Sequence, residues 1–327
     1  MLNYLSNLIK LSFCKKIIVI SNTFQMLCLF EFIHAHKSIH KEFGNFIIIC
    51  PYVNDVAFQK IKDCHRELTT TKNLIINYQK KIEIRLLYMI FHFKKLLNLE
   101  IEQIIIGNYY SYLNRKFAKI SRATFVLDDG TNILIQKNRK LLKKSKYSFF
   151  SCFNKRIFSR KNDYKKNNFK FLKNKFIHKK KYSEDVLILG KPAVEGDIFK
   201  EHEYDFLIEY VKNKYNNKNL SYFPHPKEKL DILKKKFRTI RFIKSKYPVE
   251  LYYLKAKKFP KTIVSFNTSA VILLKLFDKK LDIFNIHLDV KLDKNHYWEP
   301  YLAAEKEIVD YFKSQLSIKS KTLKIVD

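Results

Sequence analysis

Short unbroken apolar runs recur along the chain, and longer segments with helical spacing separate them. Runs of this kind, without alternating polar residues, are typical of strands covered on both faces. They predict strands at residues 17–20, 46–50, 104–106, 124–127, 186–189, 220–223, 262–266 and 281–285. The segments between them predict helices at residues 24–36, 86–97, 204–213 and 269–277. Alternation of strands with helices favours an α/β fold with parallel sheets.

The predicted strands form two groups, which indicates two domains in a chain of 327 residues. We predict an N-terminal Rossmann-like domain at residues 1–140 and a C-terminal one at residues 183–327, facing each other across a cleft. Residues 137–181 hold 18 Lys and Arg but only one acid, Asp163. We therefore interpret residues 141–182 as a basic connecting segment, either solvated or in contact with a membrane.

The net charge of +33 suggests nucleic-acid binding, but only nine of the 64 basic residues are arginine. Base recognition relies on arginine forks, and zinc-finger, RNP and basic-zipper patterns are missing. An anionic membrane surface fits a lysine-rich protein better.

Polar residues interrupt the apolar stretch 17–33, so it predicts no transmembrane helix, and no secretory signal is evident. Five cysteines without metal-ligand spacing indicate reduced thiols and a cytoplasmic protein.

Candidate chemistry lies in the loops that follow predicted strands, because ligands of open α/β sheets bind past the carboxyl ends of strands. Asp128 and Asp129 end one strand, and successive side chains point opposite ways, so one can act as a general base while the other braces the loop. An ordinary Asp-Asp-Gly turn is the alternative. Gly190 follows another strand, and Glu195 and Asp197 are a base, a sugar contact or simple caps.

Two further loops carry residues suited to a nucleotide. Pro224 and Pro226 flank His225, a possible donor to an anionic leaving group, and Lys227 adds positive charge. The second loop precedes a predicted helix and offers small polar side chains that either cap the helix or bind a phosphate: Asn267, Thr268 and Ser269. Glu250, between the two loops, is suited to ribose hydroxyls.

These motifs occur in an order that resembles the bacterial lipooligosaccharide sialyltransferases of glycosyltransferase family 52. The resemblance covers about residues 17–300. It rests on Phe24-Gln25-Met26, Asp128-Asp129-Gly130-Thr131 with Asn132 and Leu134-Ile135-Gln136, Leu187-Ile188-Leu189-Gly190-Lys191-Pro192, Pro224-His225-Pro226-Lys227, Thr268-Ser269-Ala270 and Tyr297-Trp298.

The resemblance implies a GT-B fold, a CMP-sialic acid donor, a galactose-terminated lipooligosaccharide acceptor, inversion at the anomeric carbon and no metal or other cofactor. It assigns catalysis to Asp129, Asp128, Glu195, Asp197 and His225. It assigns donor binding to Gln25, Gly190, Pro226, Lys227, Glu250, Asn267, Thr268 and Ser269. Ala193 follows Pro192 where the family has an acid, so the Asp128–Asp129 pair and the acids after Pro192 stay alternatives for the base.

The resemblance also implies a peripheral protein at the cytoplasmic face of the inner membrane, without nucleic acid as a partner, and allows a homodimer. Two other functions stay open. One is a GT-B transferase that uses another nucleotide sugar, such as a UDP-sugar, on a surface polysaccharide. The other is a non-catalytic basic protein that binds nucleic acid or a membrane.

Overall fold

The computed structural model describes residues 10–11, 13–97, 99, 101–159, 163–176, 179–290 and 305–324. Tyr297 and Trp298, which contribute to the family resemblance, lie outside these residues. The chain divides into two compact units. The first comprises Met1–Asp129 and Gln136–Asn174, and the second comprises Gly130–Ile135 and Lys175–Asp327.

The first unit is built on a seven-stranded sheet with the order β3-β2-β1-β4-β5-β6-β7, in which every pairing is parallel. Its strands are β1 (Lys16–Val19), β2 (Ile47–Pro51), β3 (Leu74–Tyr78), β4 (Ile101–Ile106), β5 (Ser121–Val126), β6 (Ser148–Ser151) and β7 (Tyr164–Lys166). Its helices are α1 (Thr23–Ala35), α2 (Lys37–Lys41), α3 (Asp55–Leu68), α4 (Lys81–Leu96), α5 (Tyr112–Ala118), α6 (Gln136–Lys144) and α7 (Lys170–Lys175).

The second unit contains a six-stranded parallel sheet with the order β10-β9-β8-β11-β12-β13. Its strands are β8 (Lys181–Leu189), β9 (Leu220–Phe223), β10 (Arg241–Phe242), β11 (Lys258–Ser265), β12 (Asp282–Leu288) and β13 (Lys319–Leu323). Its helices are α8 (Glu201–Lys214), α9 (Leu230–Lys236), α10 (Val249–Lys255), α11 (Ala270–Phe277) and α12 (Glu305–Leu316).

The predicted α/β class with two Rossmann-like parallel sheets is confirmed, since each unit has the strand order of a doubly wound sheet. All eight predicted strands and all four predicted helices are present. The run at residues 17–33 folds as β1 followed by α1, in which ten consecutive residues from Phe24 to Ile33 are buried. This complete burial explains the apolar character of the run. Within the described residues, no helix is both long and apolar enough to cross a membrane.

The prediction of a connecting segment at residues 141–182 is wrong, because these residues form β6, β7 and α7 of the first unit. The prediction overlooked β7 because it is an edge strand with two exposed lysines, Lys165 and Lys166. Charged edge strands are a common protection against unwanted strand pairing. The buried carboxylate of Glu31 on α1 accepts hydrogen bonds from the backbone N–H groups of Phe171 (3.2 Å) and Leu172 (2.6 Å), which ties α7 to the core.

Candidate functional site

Each sheet has a topological switch point, where the strand order reverses and neighbouring loops diverge. In the first sheet the switch lies between β1 and β4, and in the second it lies between β8 and β11. Such a point is the usual ligand position in an open α/β sheet. Gln25 and Gly107 follow the first pair of strands, and Gly190 and Asn267 follow the second pair. Predicted site residues therefore lie at the switch points of both units.

Asp129 is held at the first switch point by two amide side chains. Its Oδ1 accepts hydrogen bonds from Asn22 Nδ2 at 3.0 Å and from Gln25 Nε2. Gln25 is fully buried, and its Oε1 accepts from the backbone N–H of Ser21 at 2.7 Å. A Cβ at Gly107 would lie 2.1 Å from this Oε1, so glycine is required there. The half-buried Asp129 carboxylate is thus held in a fixed position by its neighbours.

Asp128 points into the interior of the first unit. Its carboxylate is fully buried and accepts hydrogen bonds from the Ser151 hydroxyl and from the Cys152 backbone N–H, the latter at 2.6 Å. Burial raises its pKa to about 6, although these hydrogen bonds oppose the shift. The group therefore links the end of β5 to the end of β6. The two adjacent acids face opposite ways, as successive residues of an extended chain do.

The His225 ring has a defined hydrogen-bonding role on one side. Its Nδ1 accepts a hydrogen bond from the Lys227 backbone N–H at 3.2 Å. A neutral imidazole carries its hydrogen on one nitrogen only, so the hydrogen resides on Nε2. Pro224 and Pro226 restrict the backbone on both sides of the ring. His225 thus presents an Nε2–H donor just beyond the carboxyl end of β9.

Glu228, which the sequence analysis did not single out, supports the His225 loop. One carboxylate oxygen accepts from the His225 backbone N–H at 2.6 Å, and the other accepts from the hydroxyls of Tyr222 and Tyr204, the latter at 3.1 Å. A Cβ at Gly190 would lie 2.1 Å from the first oxygen, so only glycine leaves room for this carboxylate. Gly190 therefore supports the His225 loop indirectly, by leaving space for the Glu228 carboxylate.

Glu228 is expected to make the protein less stable as the pH rises. Burial raises its pKa from 4.5 to about 7, and this outweighs the hydrogen bonds from Tyr222 and His225. The folded state then holds the proton more tightly than the unfolded chain. Its contribution to stability is complete below about pH 4.5 and is lost as the pH passes about 7. Each pKa unit corresponds to about 1.4 kcal/mol.

Thermal denaturation between about pH 4 and pH 8 tests this expectation. The fall in stability should be shallower in Glu228→Gln than in the unchanged protein. The slope is compared rather than the absolute stability, because the substitution also alters hydrogen bonds. Asp128 titrates in both proteins, so its contribution cancels. Parallel curves would contradict the role given to Glu228.

The two acids after Pro192 differ from Asp129 in exposure. Glu195 and Asp197 are both exposed. Glu195 accepts a hydrogen bond from the Lys229 backbone N–H at 2.7 Å, next to the start of α9. Asp197 has a φ of 54°, a left-handed conformation in the turn that leads toward α8. Glu250 is buried in the first turn of α10.

The loop after β11 combines a strained residue with a helix start. Asn267 has a φ of 57°, and the backbone N–H of Thr268 donates to the Ser265 hydroxyl at 3.2 Å. Ser269 is the N-cap residue of α11, but among the residues the structure describes its side chain makes no capping hydrogen bond. A Cβ at Gly130 would lie 2.7 Å from the Ser269 Cβ. Capping by the Ser269 side chain, one of the two interpretations, thus has no support.

A buried ionic cluster fixes this loop at the second switch point. Glu305 Oε1 accepts from Asn267 Nδ2 at 2.8 Å and lies 3.5 Å from Lys191 Nζ, while its Oε2 lies 2.6 Å from His287 Nδ1. Burial alone would raise the pKa of Glu305, but the His287 hydrogen bond and the Lys191 charge outweigh it and lower the pKa. The backbone N–H of Asn267 also donates to Asn285 Oδ1 at 2.9 Å. The cluster connects the loops after β8 and β11.

Sequence reasoning missed several of these residues for identifiable reasons. Glu228 lies three residues after His225, so its proximity to the His-Pro motif was an available signal. Gly107 directly follows a predicted strand in a chain with five glycines, and it was a second signal. Glu305 lies far along the chain from Lys191 and Asn267, and no spacing rule connects it with them.

The described residues include no group of three or more His, Cys, Asp or Glu side chains arranged to hold a metal ion. They do place polar groups at the loop after β9 and at the helix start after β11, where an anion can be bound by backbone N–H groups.

Comparisons with known proteins give three findings. The family model described as "Glycosyltransferase family 52" matches residues 137–290. An "Uncharacterized protein" of Haemophilus influenzae (strain ATCC 51907 / DSM 11121 / KW20 / Rd) is 26% identical over 311 residues, which cover 85% of this chain and 96% of that protein. Among solved structures, the crystal structure of Acinetobacter baumannii MurG aligns with a TM-score of 0.46 and 9% sequence identity, over 94% of this chain and 85% of that chain.

Proposed function

We propose that the chain is a glycosyltransferase of family 52, whose model matches residues 137–290, and that it transfers sialic acid from CMP-sialic acid to a terminal galactose of lipooligosaccharide. In this proposal the reaction inverts the anomeric carbon, needs no metal ion and uses a GT-B arrangement. The observation that carries it is the His225 loop, which offers an Nε2–H donor beyond β9 and leaves Nδ1 bound to the Lys227 N–H. Such a donor stabilises a departing phosphate.

The second unit binds the donor in this proposal. The CMP phosphate lies at the start of α11, where Thr268 and Ser269 add hydroxyl groups to the first backbone amides and to the positive end of the helix dipole. Asn267 shapes this loop through its contact with Glu305. Lys227 adds positive charge beside Pro226. Glu250 accepts hydrogen bonds from the ribose hydroxyls.

The chemical step breaks the bond between the anomeric carbon and the phosphate oxygen. His225 donates a hydrogen bond from Nε2 to that oxygen and keeps its proton, while CMP leaves as the phosphate anion with the bonding electron pair. The galactose hydroxyl attacks the opposite face of the cationic, oxocarbenium-like centre. Asp129 accepts the hydroxyl proton. Asp128 is less suited to this task because its carboxylate is fully buried among groups of the first unit. Glu195 and Asp197 stay the alternative bases.

Nucleotide binding and turnover test the proposal together. A ligand that binds only the folded protein stabilises it by about 2.7 kcal/mol at a concentration 100 times its Kd. CMP is therefore expected to raise the melting temperature, whereas UDP and GDP should leave it unchanged. CMP release from CMP-sialic acid should accelerate when a β-galactoside is added.

Two results would replace this function with another. Stabilisation by UDP or GDP instead of CMP would indicate a transferase of the same family that uses a different nucleotide sugar. Absence of any nucleotide effect, combined with DNA binding that weakens steeply with salt, would indicate a non-catalytic basic protein.

A further inference from the structure

Helix α4 in the first unit is apolar on two opposite sides. Ile84, Leu87 and Phe91 are buried and face the core. The opposite side carries large apolar residues that are exposed to solvent, and we name them, together with Leu97 directly after the helix, the α4 apolar face: Ile82, Leu86, Met89, Phe93, Leu96 and Leu97. An ordinary surface helix has one apolar stripe, with polar residues on the other side. The second stripe therefore needs an explanation.

The α4 apolar face is continuous and strongly exposed. Residues three and four positions apart are neighbours on a helix surface, and this set follows such steps from Ile82 onward. Met89 and Phe93 are each 63% exposed, and Leu96 is 67% exposed. Contiguous apolar patches on soluble proteins usually mark a surface that contacts a protein or a membrane.

The charge around this face distinguishes between the two kinds of partner. Arg85 is exposed on α4 itself. On the neighbouring α5, the ammonium group of Lys116 lies 5.5 Å from the Tyr88 ring and 5.1 Å from the Tyr112 ring. Lys119, just after α5, is exposed as well. An exposed apolar stripe, with cations and aromatic rings on the same helix and its neighbour, is the composition of helices that lie in a membrane interface.

The charge of the whole chain favours the same partner. Two copies of a protein with a net charge of +33 repel each other, which opposes pairing through this face. An anionic bilayer attracts the same protein, and each Lys or Arg near such a surface adds favourable energy. Charge complementarity therefore selects an anionic lipid surface rather than a second copy of the chain.

We propose that the α4 apolar face inserts into the interfacial layer of an anionic membrane, with Arg85, Lys116 and Lys119 contacting lipid headgroups. The first unit would then be held at the cytoplasmic face of the inner membrane, where a lipid-anchored acceptor is presented. The proposal rests on the proposed function only for this last point. Vesicle binding involves no sugar transfer, so the two proposals can fail separately.

Cosedimentation of the full chain with vesicles tests the insertion. The protein is expected to bind phosphatidylglycerol-containing vesicles, to bind pure phosphatidylcholine vesicles weakly, and to lose affinity as salt is added. The combined variant Leu86→Gln, Met89→Gln and Phe93→Gln should lower the partition coefficient roughly tenfold or more. Its melting temperature and its turnover of a soluble galactoside should stay unchanged, because these side chains are exposed on the surface.

A matched control replaces three exposed apolar residues on other helices. The variant Val56→Gln, Phe206→Gln and Ile232→Gln removes a similar number of exposed apolar groups from α3, α8 and α9. It should bind vesicles like the unchanged protein. Equal binding by the α4 variant and the control would overturn the proposal, as would absence of vesicle binding by the unchanged protein. A dimer that the α4 variant alone dissociates, with vesicle binding intact, would assign the face to self-association.

Discussion

Replacing His225 with alanine is expected to lower kcat by roughly 10²–10³-fold, the usual cost of removing a hydrogen-bond donor to a developing negative charge. The neutral ring carries its hydrogen on Nε2 because Nδ1 accepts from the Lys227 N–H. Alanine removes this donor, so the phosphate must leave without the hydrogen bond. CMP affinity should fall as well, since the same donor contacts the phosphate in the bound state. Steady-state turnover and CMP titration measure the two effects.

The variant His225→Gln separates a hydrogen bond from a proton transfer. A glutamine amide can donate a hydrogen bond at the end of its side chain, but it cannot give up a proton. Because the neutral His225 ring acts through its hydrogen bond, CMP affinity and much of kcat should recover in this variant, whereas recovery of CMP affinity alone would indicate proton transfer. Lys227→Ala keeps the backbone N–H that binds Nδ1 and removes only an exposed charge, so it should weaken CMP binding without changing the tautomer of His225. Unchanged kinetics in His225→Ala would remove this residue from the site.

The sequence predicted the two sheets well because their central strands have a strong local signal. β1, β8 and β11 are covered on both faces, so continuous apolar runs mark them. The edge strands lack that signal. β10 has only two residues, and β7 is mostly lysine, so their pairing depends on neighbouring strands rather than on their own composition. The many lysines of residues 141–182 also masked β6, β7 and α7, which belong to the first unit.

Site residues could be predicted from the sequence only where uncommon residues occur together in one short motif. His225 between two prolines and the Asp128–Asp129 pair stand out in the sequence. The side chains that hydrogen-bond to the site residues do not stand out in the sequence. Asn22 reaches Asp129 across 107 positions of sequence, and Glu305 reaches Asn267 across 38. Such contacts arise from the strand order, which brings the ends of β1 and β5, or the loops after β8 and β11, to the same edge of a sheet.

Replacing Asp129 with asparagine is expected to lower kcat by roughly 10²–10⁴-fold while the melting temperature stays nearly unchanged. The asparagine oxygen can still accept from Asn22 and Gln25, so the packing at the first switch point is kept. The amide is not basic, so the proton of the attacking hydroxyl has no acceptor. The effect should appear in kcat rather than in CMP affinity, because the base acts on the acceptor and not on the nucleotide.

Asp128→Asn is the matched control, since it makes the same chemical change one residue away. Its carboxylate braces β5 against β6 through Ser151 and the Cys152 N–H, so the substitution should lower the melting temperature and leave kcat of the folded enzyme within a few-fold. Glu195→Gln tests the alternative base in the second unit. If Asp129→Asn retains normal kcat and Glu195→Gln loses it, the proton acceptor is the acid after Pro192. If all three variants retain normal kcat, base catalysis by Asp129, Asp128 and Glu195 is wrong, and Asp197→Asn then tests the remaining acid after Pro192.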